Sequence, residues 1–383
     1  MGLNRFLSAG RSPALRGGRL DKAARIAVSD VLKVKKGEQL LIVSNPESDV
    51  SAIAQALYDA AAGALARPVL VYQGEKTQMD FADDAVIAAF GAKPQVFASL
   101  SAQKLGKDRN GIASPYTEGG QSWDHIFHYQ LYGTGTCRAF WSPGATVESF
   151  VRTVPIDYTL LRARCAALKK VLDKALSIHI TAPGGTDVRF GLAGRETKLD
   201  DGDFSRPGQG GNLPAGEAFI SPENGTACGT IVFDGSISLH DRDILIKNPI
   251  HCTLKDGFIT GVSGGADAKE LLKTITLAER NARSYEAQGK FPPGAGERNA
   301  KNARNIGEIG IGLNPRARVT GHMLEDEKAF ETCHFAVGHN YDGDAPALIH
   351  LDGLVHRPTI TAVLGNGKKI LIEEKGKLSP RFA

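Results

Sequence analysis

Three short blocks near the C-terminus constrain this chain most. They read E-I-G-I-G-L-N-P from Glu308, C-H-F-A-V-G-H-N-Y around His334, and A-L-I-H-L-D-G around His350 and Asp352. Each sets a potential metal donor among glycines and β-formers, which describes strands whose backbones approach closely. In a strand, residues i and i+2 share a face, so His350 and Asp352 project together while Ile349 and Leu351 point the other way. An imidazole beside a carboxylate suits Zn, Mn, Fe or Co. Alone, H-x-D is a weak signal, because such pairs commonly sit on surfaces. The neighbouring blocks strengthen it.

At 383 residues the chain is long enough for two domains with a substantial core, and its net charge of +4 is small for that length. No basic run is interleaved with stacking aromatics, so nucleic acid is not an expected partner. No apolar run approaches the roughly 18 residues of a membrane span. The five cysteines are odd in number and lack C-x-x-C spacing, which fits free thiols in a reducing cytoplasm. The first twenty residues carry four arginines and no acid. Their glycines and proline break an amphipathic helix, so 1–20 reads as a disordered extension rather than a transit peptide.

From residue 21 the pattern is α/β. A helix is expected over 23–34, a buried strand over 39–43, a helix from Asp49 or Ser51 to about 62, and a strand over 68–72: a βαβ unit with a parallel pair. Segments 83–90 and 95–100 continue the alternation. There is no G-x-G-x-x-G after the first strand and no G-x-x-x-x-G-K-S/T, which argues against a dinucleotide fold or a P-loop. Residues 106–135 are loop-like, then dense in aromatics and histidine. They read either as a wall that stacks on a ring or as an element packed on the domain's flank. A helix over 158–174 connects to the second half. There strands shorten and hairpin signals multiply, including T-I-V-F-D-G-S-I-S, Asp256-Gly257, Asp352-Gly353 and Asn366-Gly367. The expected fold is an α/β N-terminal domain with a mainly parallel sheet (21–157) and an α+β C-terminal domain with a barrel-like antiparallel sheet (158–383).

A fourth block, N-L-P-A-G-E, starts a strand at Glu217 after a Gly/Pro-rich turn. With it the chain offers Glu217, Glu308, His334, His350 and Asp352, and Tyr341 nearby. Five strong donors exceed one tetrahedral ion and suit a pair of ions sharing a carboxylate.

The order N-L-P-A-G-E, E-I-G-I-G-L-N-P, H-F-A-V-G-x-x-Y, I-H-L-D resembles the M29 family of metallo-aminopeptidases. K-K-G-E-Q-L-L-I-V, G-T-D-V-R-F-G-L-A-G-R and D-D-G-D-F-x-x-P-G extend the resemblance over most of the chain. It implies a homodimer and a two-metal centre of Zn, Co or Mn held by Glu217, Glu308, His334, His350 and Asp352. Tyr341 matches the site tyrosine, and Glu217 or Glu308 would shuttle a proton. The function so implied is removal of N-terminal residues from peptides by a metal-activated water. The 106–135 stretch departs from that pattern. The fold also resembles non-peptidases, namely a ring-opening dioxygenase of dihydroxypyridines and an aminohydrolase of nitroaromatics. In that alternative a single iron would be held by His334, His350 and Asp352 and would act on an aromatic or heteroaromatic small molecule.

Overall fold

The computed structural model describes residues 18–77 and 80–383. Most of the extension read over 1–20 lies outside the described residues, but Arg19 and Leu20 already belong to a helix, Arg19–Ile26. That helix continues as a π-helical turn, Ala27–Val31. No described helix is long and apolar enough to cross a membrane.

The chain divides into two compact units, 1–158 with 202–215 and 159–201 with 216–383. The segment 202–215, expected in the second domain, clusters with the first.

In the first unit, five parallel strands lie in the order Gly210–Asn212, Arg138–Trp141, Val96–Leu100, Gln39–Ser44, Arg67–Tyr72. The two central strands Gln39–Ser44 and Val96–Leu100 are apolar runs buried almost throughout, as strands covered on both faces must be. The helix Ser48–Gly63 has Glu47 at its N-cap position rather than Asp49 or Ser51.

The 106–135 stretch is an element of this unit's packing. Phe127 and Leu131 enter a core cluster with Phe90 and Phe97. Buried Asp108 accepts from the backbone nitrogens of Asn110, Gly111 and Ile126 and from the Tyr116 hydroxyl, which ties the loop down. His125 accepts from Phe127 N on Nδ1, and its Nε2 faces the Gly106 carbonyl at 3.2 Å. With both nitrogens engaged, it has no lone pair for a metal.

The second unit carries the antiparallel β structure expected of it, arranged as two sheets. One runs, by strand, 243–245, 236–238, 350–356, 332–338, 306–312, 217–220, 198–200; the other 258–263, 250–255, 228–233, 187–191, 175–181, 359–364, 369–374, 377–378. Phe335 of the first sheet meets Phe190 and Phe233 of the second, at ring distances of 5.6 and 6.5 Å. Two D-G pairs are not hairpin turns. Asp234-Gly235 joins strands that belong to different sheets. Gly353 lies mid-strand, where an added Cβ would stand 2.6 Å from the Phe233 ring. Asp256-Gly257 does close a hairpin, with both residues at positive φ.

Glu373 is buried in this unit, and its Oε2 lacks a hydrogen-bond partner. Burial, then the Glu331 carboxylate, push its acid up to about 8. The folded state therefore keeps a proton that the unfolded chain releases above about pH 4.5. The contribution to stability is present below that pH and is lost as pH rises toward 8. We expect Glu373→Gln to gain on the wild type by a few kcal/mol between pH 5 and pH 8.5. Denaturant midpoints at both pH values check this, and an equal gap at the two would refute it.

Candidate metal centre

Four neighbouring strands of the first antiparallel sheet carry the donors: Glu217–Ile220, Ile306–Gly312, Thr332–Gly338 and His350–His356. Residues directly opposite in an antiparallel pair point to the same face. The register sets Glu217 against Gly312, His334 against Gly310, His350 against Gly338, and both Glu308 and Asp352 against Ala336. On at least one side each long donor side chain thus faces glycine or alanine, while His334 has Leu354 and Glu217 has Asp200 on the other. This alternation is the physical content of E-I-G-I-G and H-F-A-V-G: the small residues clear a floor on which five polar side chains converge. A Cβ on Gly310 would stand 2.0 Å from His334 Nε2. The intervening residues Ile309, Ile311, Cys333 and Phe335 face the other way and are buried.

The donors form two overlapping groups that share Glu308. Glu217, Glu308 and His334 make a fully buried group; Glu308, His350 and Asp352 make a partly exposed one. The set His334, His350 and Asp352 expected for a single iron is not gathered as one compact group, because Glu308 stands between the two halves.

His350 Nδ1 lies 2.8 Å from the His339 carbonyl, which only accepts, so Nδ1 carries the hydrogen. Its Nε2 then faces Asp352 Oδ1 at 3.3 Å and Glu308 Oε2 at 3.6 Å. Those two oxygens are buried without hydrogen-bond partners. A lone pair among carboxylate oxygens needs a cation, either a proton or a metal ion. Without a metal the proton supplies it. Burial opposes the charge on His350, but Asp352 and Glu308 outweigh it and push the ring up to about 10. Burial would raise Asp352, but His350 holds it down at about 2. Glu308 is raised by its burial. The residues fit a divalent ion.

His334 is fully buried. Its Nε2 donates to Glu308 Oε1 at 3.1 Å and lies 3.3 Å from Glu217 Oε2. These carboxylates overcome burial and push His334 up to about 9.

Lys328 lies in none of the sequence motifs. Its side chain is 0% exposed, and its ammonium donates to Glu217 Oε1 at 2.5 Å and Glu327 Oε1 at 2.6 Å, with Asp200 Oδ2 at 3.2 Å. Asp200 is therefore part of a buried ionic cluster. Burial pushes Asp200 and Glu327 up to about 8 against the pull of Lys328. The only sequence signal was a lysine inside the acidic run L-E-D-E-K, which by itself describes a solvated surface.

Tyr341 stands at the mouth, 53% exposed, its ring 4.9 Å from the His350 ring and edge-on to Phe219 at 5.7 Å. Although half the residue meets solvent, burial and then the nearby Glu308 and Asp352 carboxylates push its phenol well above the usual value, so it stays protonated.

The model of the 2,5-dihydroxypyridine 5,6-dioxygenase family matches residues 145–337, just over half of the chain. The chain belongs to that family. The matched span contains Glu217, Glu308, His334 and Lys328 and ends before Tyr341, His350 and Asp352. The 2,5-dihydroxypyridine 5,6-dioxygenase of Pseudomonas putida is 30% identical over 180 residues, which is 47% of this chain and 45% of the relative. The alignment thus spans under half the length of that relative. The solved structure of 2,5-dihydroxypyridine dioxygenase from Pseudomonas putida KT2440 superposes with a TM-score of 0.68 at 19% identity, covering 94% of this chain and 97% of that one. AmpT from Thermus thermophilus superposes at 0.61 with 17% identity, covering 94% and 98%. Those two likenesses establish the fold. The order of motifs pointed first to the aminopeptidases. That relation stands at the level of fold through AmpT, and the family is that of the dioxygenase.

Proposed function

We propose that this family member is a single-metal enzyme that uses dioxygen to open a hydroxylated nitrogen heteroaromatic ring of the 2,5-dihydroxypyridine type. The observation that carries the reading is the partly exposed donor group Glu308, His350 and Asp352, with the Tyr341 ring 4.9 Å from that of His350. The other donor group is closed, and Lys328 already supplies a cation to its Glu217. One ion therefore has a substrate-accessible place, held by Glu308, His350 and Asp352.

A divalent iron bound there supplies Lewis acidity toward an ionised ring hydroxyl and electron exchange with dioxygen. The chain supplies the rest. The His339 carbonyl fixes the His350 tautomer and aims Nε2 inward. His334 holds Glu308 through Oε1 and leaves Oε2 for the ion. Tyr341 and Phe219 offer aromatic surface for a planar ring, and the protonated Tyr341 hydroxyl donates to a developing oxyanion. Glu217, bound to Lys328 through one oxygen and near His334 through the other, is placed to take a proton through His334.

Metal analysis and oxygen uptake test the reading together. We expect one iron per chain and oxygen consumption dependent on 2,5-dihydroxypyridine, with no cleavage of leucyl-anilide. The sharing of Glu308 by two donor groups favours a second reading, a two-ion aminopeptidase. That reading requires two ions per chain and anilide cleavage without oxygen uptake. The homodimer implied by the sequence motifs remains part of the proposal, and light scattering measures it.

A further inference from the structure

The buried Lys328 ammonium lies one carboxylate away from the donor groups, and nothing in the reaction itself requires a lysine there. It touches no solvent, and Glu217 is its shortest contact. From Glu217 the contacts run inward: Glu217 Oε2 to His334 Nε2 at 3.3 Å, His334 Nε2 to Glu308 Oε1 at 3.1 Å, and Glu308 Oε2 toward His350 Nε2 at 3.6 Å. Lys328, Glu217, His334 and Glu308 are each buried, so little solvent competes for their orientation. The His334 ring is further fixed by the bare Gly310 backbone beside it.

We propose that Lys328 is the positioning residue of the metal centre. Its ammonium fixes Glu217, Glu217 fixes His334, and His334 sets the direction in which Glu308 presents its free oxygen to the ion shared with His350 and Asp352. In this scheme Glu217 and His334 orient a ligand and do not bind the ion themselves. Outer partners of this kind typically change metal affinity or activity by about 10–100-fold when removed. The inference rests on the proposed ion at Glu308, His350 and Asp352, but not on the identity of the substrate.

The test uses the full chain loaded with Co(II), whose visible spectrum reports ligand geometry without turnover. Lys328→Met, checked for folding by circular dichroism, is expected to keep one Co(II) per chain. Its affinity should fall about tenfold or more, its absorption band should shift, and kcat should drop more than KM changes. Glu217→Gln preserves volume and cuts the same link, so it should reproduce the shift and keeps the test decisive if Lys328→Met does not fold. Wild-type spectrum and affinity in either folded variant overturn the proposal. So does an ion count that drops in Glu217→Gln, which would make Glu217 a ligand. If the wild type binds Co(II) as described but consumes no oxygen with dihydroxypyridine, the proposed function fails and this inference stands. Unchanged spectra alongside oxygen uptake give the converse result.

Discussion

His350→Ala is expected to strip the ion and turnover together. His350 is the imidazole of the open donor group, and its Nε2 is already turned inward by the hydrogen bond from Nδ1–H to the His339 carbonyl. Alanine would leave Glu308 Oε2 and Asp352 Oδ1 facing each other with neither proton nor imidazole between them. Affinity should fall by more than about 100-fold, since even outer partners cost 10–100-fold, and turnover should become undetectable. Equilibrium dialysis and oxygen uptake on one preparation measure both. Full turnover in the purified variant would remove His350 from the site. A pH signature accompanies the prediction. The metal-free ring is charged up to about pH 10, so the ion must displace its proton. Wild-type affinity should rise close to tenfold per pH unit below that value, with about one proton released per ion bound. Calorimetry in buffers of different ionisation heat counts that proton.

Gly310→Ala, which adds one methyl group outside every proposed donor, should be nearly as damaging. The new Cβ would lie 2.0 Å from His334 Nε2 and 2.1 Å from its Cε1. Both strands are inside the sheet and His334 is wholly buried, so neither can yield easily. Overpacking of this kind costs about 1–3 kcal/mol, occasionally more. Swinging His334 aside also releases Glu308 Oε1, so metal affinity should fall with stability. Gly261→Ala is the control. It too is in a strand, but its nearest neighbour to an added Cβ is Thr253 Oγ1 at 3.7 Å, and it should leave metal binding unchanged. Thermal melts with and without Co(II) separate the two effects. Equal metal-induced stabilisation in Gly310→Ala and the wild type would refute the packing argument.

Much of the site was legible because strand periodicity is a short-range rule. His350 and Asp352 had to share a face, and Cys333 had to point away from His334, whatever the rest of the chain did. The glycines were visible too, but their purpose was not. Gly310 and Gly312 face His334 and Glu217 across strand pairs, and register is fixed only when the sheet assembles. The same limit explains the misread D-G pairs. Gly353 signals a turn locally, but it serves as the gap into which Phe233 packs from the other sheet.

The sequence by itself determined which residues can donate to a metal, their pairing within each strand, and the kinship of the motifs, since these depend on residue type and local spacing. Tertiary structure decided which donors meet. It put Glu308 between His334 and His350, and it brought Lys328 beneath Glu217 from a stretch that reads as surface charge. An ammonium so buried is tolerable only where Asp200, Glu217 and Glu327 already converge, and no local pattern records that convergence.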